Sequence, residues 1–231
     1  MAVVGAHVAA MFACIRRCDT RAMGISVAEF KVADDADAWR RAGFTVDDNG
    51  GCRIGGIRIR LNAAGTGIVG WSLRELGSDV VDVDGVPTAR SEAAAAAPAE
   101  HPNGVVAIDH VVLLSPNLSR TVTALGAIGA TPRRERDAEL GGRPMRQVFY
   151  RLGEVILEVV GAPQTTGDGP STLWGITHVV ADIDATAAFL GDRTSPVQDA
   201  VQPGRRITTL RHRDFGMSVP TALISAPILG P

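Results

Sequence analysis

Lysine is almost missing from this 231-residue chain: Lys31 is the only one, and arginine carries the remaining positive charge. Schiff-base, pyridoxal-phosphate and P-loop chemistry would each have to use that residue. No G-x-x-x-x-G-K surrounds it, so those classes are excluded. Neither sign of charge dominates: 23 basic against 25 acidic residues give a net charge of −2 and no electrostatic footprint for nucleic acid. No run of about 18 apolar residues exists, so a membrane span is not expected. Cysteine is sparse and odd in number, at Cys14, Cys18 and Cys52, which implies no disulfide framework. The apolar stretch near the N-terminus has no basic region ahead of it, so a cytoplasmic, reducing location is the default. Cys14 and Cys18 with His7 could form a metal clip. No second ligand pair follows at zinc-finger spacing, which favours a plain tail.

Against these absences, 26 Gly, 13 Pro and 45% hydrophobic residues describe ordinary globular material for one large or two small domains. An alanine run broken by prolines, residues 91–104, marks a linker. The resulting division is an N-terminal extension (1–23), a shortened domain (24–90), the linker, and a longer domain (105–228). In the longer piece AIDHVVLLS (107–115) reads as a buried strand. Leu118, Val122, Leu125 and Ile128 then define a helix face, with Ser115 or Asn117 as cap. RQVFYRLGEVILEVV (146–160) reads as two strands joined at Leu152-Gly153, and a short strand near TPRRERD completes a βαβββ order. The order recurs: LWGITHVVADI (173–183) is a strand, DATAAFLGD a helix capped by Asp184, and 204–212 and 218–226 are strands.

The shortened piece carries matching fragments in the same order. RIGGIRIRL matches RLGEVILEV, VAEFKV resembles IDHVVL, IVGWSLREL resembles LWGITHVV, and GVPTAR resembles SVPTAL. Setting IDHVV against ITHVV puts His110 and His178 in equivalent slots. A carboxylate in an apolar strand, Glu158 in VILEVVG, is expensive to bury unless paired or bound to a cation. Two imidazoles and one carboxylate are a facial-triad ligand set suited to Fe(II), Mn(II) or Zn(II). The bland alternatives are buried histidines hydrogen-bonded to neighbours, and a Glu158–arginine ion pair.

The paired βαβββ units with their IDHVV and ITHVV openings resemble the vicinal oxygen chelate superfamily. It comprises glyoxalase I, extradiol dioxygenases, methylmalonyl-CoA epimerase and the bleomycin-resistance proteins. The resemblance implies an α+β fold of paired βαβββ modules forming a cupped mixed sheet, with a shortened N-terminal copy. It implies that His110 and His178 are first-strand ligands and Glu158 a last-strand ligand of one divalent ion, with Ni(II) added to the metals above. The fourth slot falls at Ala222, which departs from the four-ligand pattern and puts glyoxalase chemistry in doubt. In the shortened copy the equivalent positions hold Glu29, Arg60 and Leu73, so that half should bind no metal.

Two functions follow as expectations. The first is metal-dependent isomerase, lyase or dioxygenase chemistry on a small substrate with vicinal oxygens. Tyr150 and His212 are the available acid–base residues, and Arg205 and Arg206 would meet a substrate anion. The second is a metal-free module that binds or sequesters a small molecule. Trp71 and Trp174 read as core or cavity wall, and GGRPMR (141–146) as a loop able to cover a site. The expected partner is a small molecule rather than nucleic acid or membrane. A homodimer is an assembly the resemblance allows. Substrate and reaction class are not readable from these residues.

Overall fold

The alternation of apolar and polar residues along the chain builds two sheets. The computed structural model describes residues 24–77, 79–164 and 167–227, so the Cys14/Cys18/His7 reading lies outside the described residues. In the first sheet, β1 (Ser26–Val32) leads into α1 (Ala36–Arg41), whose first turn is capped by the Asp35 carboxylate accepting from Asp37 N–H. There follow β2 (Gly51–Ile54), β3 (Ile57–Arg60), β4 (Ile68–Arg74), β5 (Asp82–Val83) and β6 (Val86–Arg90), in spatial order β2-β3-β1-β4-β6-β5.

The second sheet has eight strands. Its first module is β7 (Val105–Leu114), α2 (Leu118–Ala127), β8 (Pro132–Leu140), β9 (Arg143–Leu152) and β10 (Val155–Gly161). Its second is β11 (Thr172–Val180), α3 (Ile183–Leu190), β12 (Gln198–Asp199), β13 (Arg206–Thr209) and β14 (Thr221–Ser225). The order is β12-β13-β14-β11-β7-β10-β9-β8, so the opening strands of the two modules pair antiparallel at the centre. Asn117 caps α2, and Asp182 rather than Asp184 caps α3, accepting from the N–H groups of Asp184 and Ala185. Gly153 turns β9 into β10 with φ 69°, a conformation that favours glycine.

The two sheets share strand order and register. The core β3-β1-β4-β6 repeats as β10-β7-β11-β14, parallel at its outer pairs and antiparallel at its centre. Glu29 faces Arg58 and Ser72 as His110 faces Ile156 and Thr177. Each opening strand carries a bulge one residue before that position, at Ala28 and at Asp109. Between β4 and β5 no helix is present among the described residues. Ile108, Val111 and Leu113 of β7, with Val148, Leu152, Leu157 and Val159, give the large sheet one buried face. The opposite face is concave. Trp71 is fully buried, whereas Trp174 is half exposed, correcting the expectation that both are core or cavity wall. Among the described residues no helix is long and apolar enough to cross a membrane.

Candidate functional site

The concave face encloses a cleft of ≈ 610 Å³. Its floor holds His110, Ile156, Glu158 and Ile224, and one wall carries Phe149 and Gln147 of β9 with Arg134 and Arg136 of β8. The segment between β12 and β13, residues 200–203, forms the other wall.

The bulge in β7 creates the polar centre. The ladder steps from the pair His110–Thr177 to the pair Ile108–His178, leaving Asp109 as the extra residue. An extra residue lets two successive side chains lean toward one face instead of alternating. Asp109 and His110 therefore meet: the Nδ1–H of His110 donates to Asp109 Oδ2 at 2.8 Å. An ionised carboxylate only accepts, so this bond fixes the proton on Nδ1 and leaves Nε2 as an acceptor, to which the Thr177 hydroxyl donates. Thr177 Oγ1 lies 3.0 Å from Nε2, and Glu158 Oε2 lies 3.7 Å from it. Behind the pair, Arg205 Nη1 donates to the other Asp109 oxygen at 2.6 Å, and its Nε donates to the carbonyl of Ser225 at 2.8 Å. Burial alone would raise the Asp109 pKa. The hydrogen bonds from His110 and Arg205 outweigh it and hold the carboxyl below its ordinary range. Glu158 is satisfied differently: Gln147 Nε2 donates to its Oε1 at 2.5 Å, and Arg136 Nε donates to Gln147 Oε1 at 2.7 Å. The arginine contact weighed for Glu158 is thus relayed through an amide.

His178 is not in this cleft. Directly opposed residues of a ladder share a face, and its opposite number is Ile108, on the buried side. The imidazole is fully buried against Trp39 and Phe44 of the N-terminal lobe, at centroid distances of 6.2 and 5.3 Å. Neither ring nitrogen has a hydrogen-bond partner among the described residues. Burial, with smaller contributions from His101 and His110, pushes its pKa down to about 3. Thr177 takes the place expected of it, and Ala222 sits opposite Thr177 with nothing to ligate. Two donors therefore remain, His110 and Glu158, where a bound divalent ion ordinarily has at least three protein ligands. Among the described residues no three His, Cys, Asp or Glu side chains gather as a metal-holding group. The residues present do not fit the expected ion, and the His110–Glu158–His178 triad is corrected to a His110–Glu158 pair.

The other expected residues also move. Tyr150 is among the residues bordering the cleft, yet its side chain is buried opposite Leu157 and its hydroxyl has no partner among the described residues. Burial pushes its pKa up to about 12, and such a phenol gives up no proton near neutrality. His212 begins a 3-10 turn, 212–215, that meets α1 of the other lobe through Arg41 Nη2 donating to the Phe215 carbonyl. It does not border the cleft. Arg205 supports Asp109, and Arg206 makes a two-point ion pair with the exposed Asp184 at 2.7 and 2.8 Å, so neither is placed for a ligand anion. Residues 141–146 form the hairpin end of β8 and β9. What the sequence reading missed are Asp109, Thr177 and the arginines of β8. Asp109 carries the same signal as Glu158, a carboxylate inside an apolar strand. The arginines were legible in the alternation of RRERD.

No family model and no curated protein matches the sequence. Among solved structures, a catechol 2,3-dioxygenase is 12% identical with a TM-score of 0.59, over 92% of this chain and 95% of that one. A mutant of 4-hydroxymandelate synthase from Streptomyces coelicolor is 15% identical with a TM-score of 0.58, over 90% and 94%. Methylmalonyl-CoA epimerase from Mycobacterium tuberculosis is 16% identical over 54% of this chain and 91% of that one, with a TM-score of 0.42. The two likenesses that span most of both chains show the fold alone: this chain shares the paired-βαβββ architecture of those two proteins.

Proposed function

We propose that this chain binds a small organic molecule in the concave face of its large sheet, without a resident metal. The observation that carries the reading is the burial of His178 behind Trp39 and Phe44, which leaves His110 and Glu158 as the only donors of the expected set facing the cleft. A hydrophobic trough with a few convergent polar groups is the usual form of a small-molecule site. Here Ile156, Ile207, Ile224 and Phe149 supply the apolar surface, and His110 supplies the polar contact. The test is metal analysis of protein purified without chelators, beside His110→Ala. Well below one equivalent of metal, with a melting temperature unmoved by chelator, is the expected result. One equivalent of a divalent ion, lost in His110→Ala, overturns the reading.

The Asp109–His110 pair favours a second reading, proton transfer to a bound ligand. A carboxylate behind Nδ1 orients the ring and stabilises the imidazolium formed when Nε2 takes a proton. Nitrobenzisoxazole is a suitable probe. Loss of its carbon-bound proton to Nε2 breaks the N–O bond, and the released electron pairs leave a nitrile and a coloured phenolate. A rate that falls to background in His110→Ala supports proton transfer, and equal rates in the two proteins exclude it.

A further inference from the structure

We propose that the ligand of this cleft is a small organic anion with a flat apolar body, and that Arg134 and Arg136 select its charge. The inference rests on the small-molecule reading above and names the class of ligand.

Three observations carry it. The first is the charge of the cleft. Its border holds Arg133, Arg134, Arg136 and Arg151 against one carboxylate, Glu158, in a chain whose net charge is −2. None of these four arginines makes an ion pair among the described residues. Arg205 and Asp109 cancel each other beneath the floor, so the field in the cleft is set by the wall. A cationic concavity on an anionic protein draws anions to itself.

The second is the sorting of charge along β8. Arginines on an edge strand serve simply to keep sheets from pairing, and β8 is such an edge. That role requires no particular face. In RRERD, Arg134 and Arg136 stand opposite Phe149 and Gln147 on the cleft side. Glu135 stands opposite Val148, which is buried on the other face, and Asp137 is paired with Arg146 at 2.8 Å. The two acids are thus turned away from the cleft.

The third is geometry. The guanidinium carbons of Arg134 and Arg136 lie 5.8 and 5.9 Å from the centre of the Phe149 ring. That contact holds two cations beside an aromatic surface. A ligand ring laid on Phe149 and the isoleucines would present a carboxylate, sulfonate or phosphate to both forks, which match such groups geometrically. Arg136 has its Nε committed to Gln147, leaving its terminal nitrogens for the ligand.

The experiment compares two dyes of nearly identical apolar body, anilinonaphthalene sulfonate and the neutral N-phenylnaphthylamine, by fluorescence titration. The protein is expected to bind the sulfonate about tenfold more tightly, an advantage that added salt erodes. In Arg134→Ala/Arg136→Ala the preference for the sulfonate over the neutral dye is expected to fall to about one. Arg134→Ala alone, a change at an exposed side chain, gives the same comparison should the double variant unfold. Equal affinity for the two dyes in the unmodified protein, or a preference that survives the arginine variants, overturns charge selection while the cleft still binds. Failure of both dyes to bind overturns the small-molecule reading itself.

Discussion

Glu29 and Arg60 hold each other through two contacts of 2.9 Å, at the positions in the small sheet that His110 and Glu158 occupy in the large one. The correspondence continues across the ladder, with Ser72 for Thr177 and Ala89 for Ala222. In one sheet the acid is neutralised directly by a guanidinium. In the other, a glutamine separates acid from arginine and the histidine borders the cleft. One backbone frame thus carries a closed ion pair and an open cleft.

The closed pair contributes stability only. Arg60 is half exposed whereas Glu29 is 12% exposed, so Arg60→Ala leaves a mostly buried carboxylate unpaired. Solvent screening on the arginine side keeps the expected loss to about 1 kcal/mol, read by urea unfolding, with dye binding in the cleft unchanged. An unaltered midpoint would show that the pair is idle.

Gly70 and Gly175 make the same close approach in the two sheets. A Cβ at either would stand 2.7 Å from the carbonyl oxygen of Pro87 or 2.8 Å from that of Pro220. Backbone cannot yield as a side-chain tip can. Gly70→Ala and Gly175→Ala are each expected to cost about 1–3 kcal/mol in thermal unfolding, and a neutral result at either position would refute the shared constraint.

Asp109→Asn should destabilise the protein by roughly 3 kcal/mol at neutral pH, because Arg205, only 7% exposed, loses its counter-charge. The Asp109 carboxyl has its pKa held below its ordinary value of 3.8 in the folded state. Its contribution is therefore complete above that value and fades as pH falls through the lower folded one. Chemical denaturation from pH 7 to pH 3 should show wild type and variant converging at the acid end. A constant gap would contradict the assignment.

His178 acts in the opposite way. Its folded pKa, pushed from 6.5 to about 3, means that the unfolded chain binds a proton the folded chain refuses throughout that interval. Stability is then unaffected above the unfolded value and declines as pH drops below it, by at most about 1.4 kcal/mol per unit. His178→Leu removes both the titration and two buried nitrogens that lack partners among the described residues. The variant should be at least as stable as wild type at pH 8, and its margin should grow toward pH 4.5. Parallel pH profiles for the two proteins would sink the argument.

The order of apolar and polar residues was enough to determine that two βαβββ modules follow a shortened pair, because strand period and helix face are local properties read over a few residues. It was also enough to mark Glu158, a carboxylate whose cost in an apolar strand is visible wherever the strand lies, while the matching IDHVV and ITHVV openings marked His110. It could not determine which face His178 takes. The alignment of IDHVV with ITHVV treats both strands as regular, and a single bulged residue, Asp109, shifts the phase between them. That shift exists only when the strands pair, and only then does Thr177 rather than His178 oppose His110. Tertiary structure likewise decided the arginines. Arg205 and Arg206 are absorbed by Asp109 and Asp184, which are distant in sequence, while two adjacent strands bring Arg134 and Arg136 to one ring. Which charges cancel and which remain for a ligand depends on distances of a few ångströms between segments, and only the folded chain sets those.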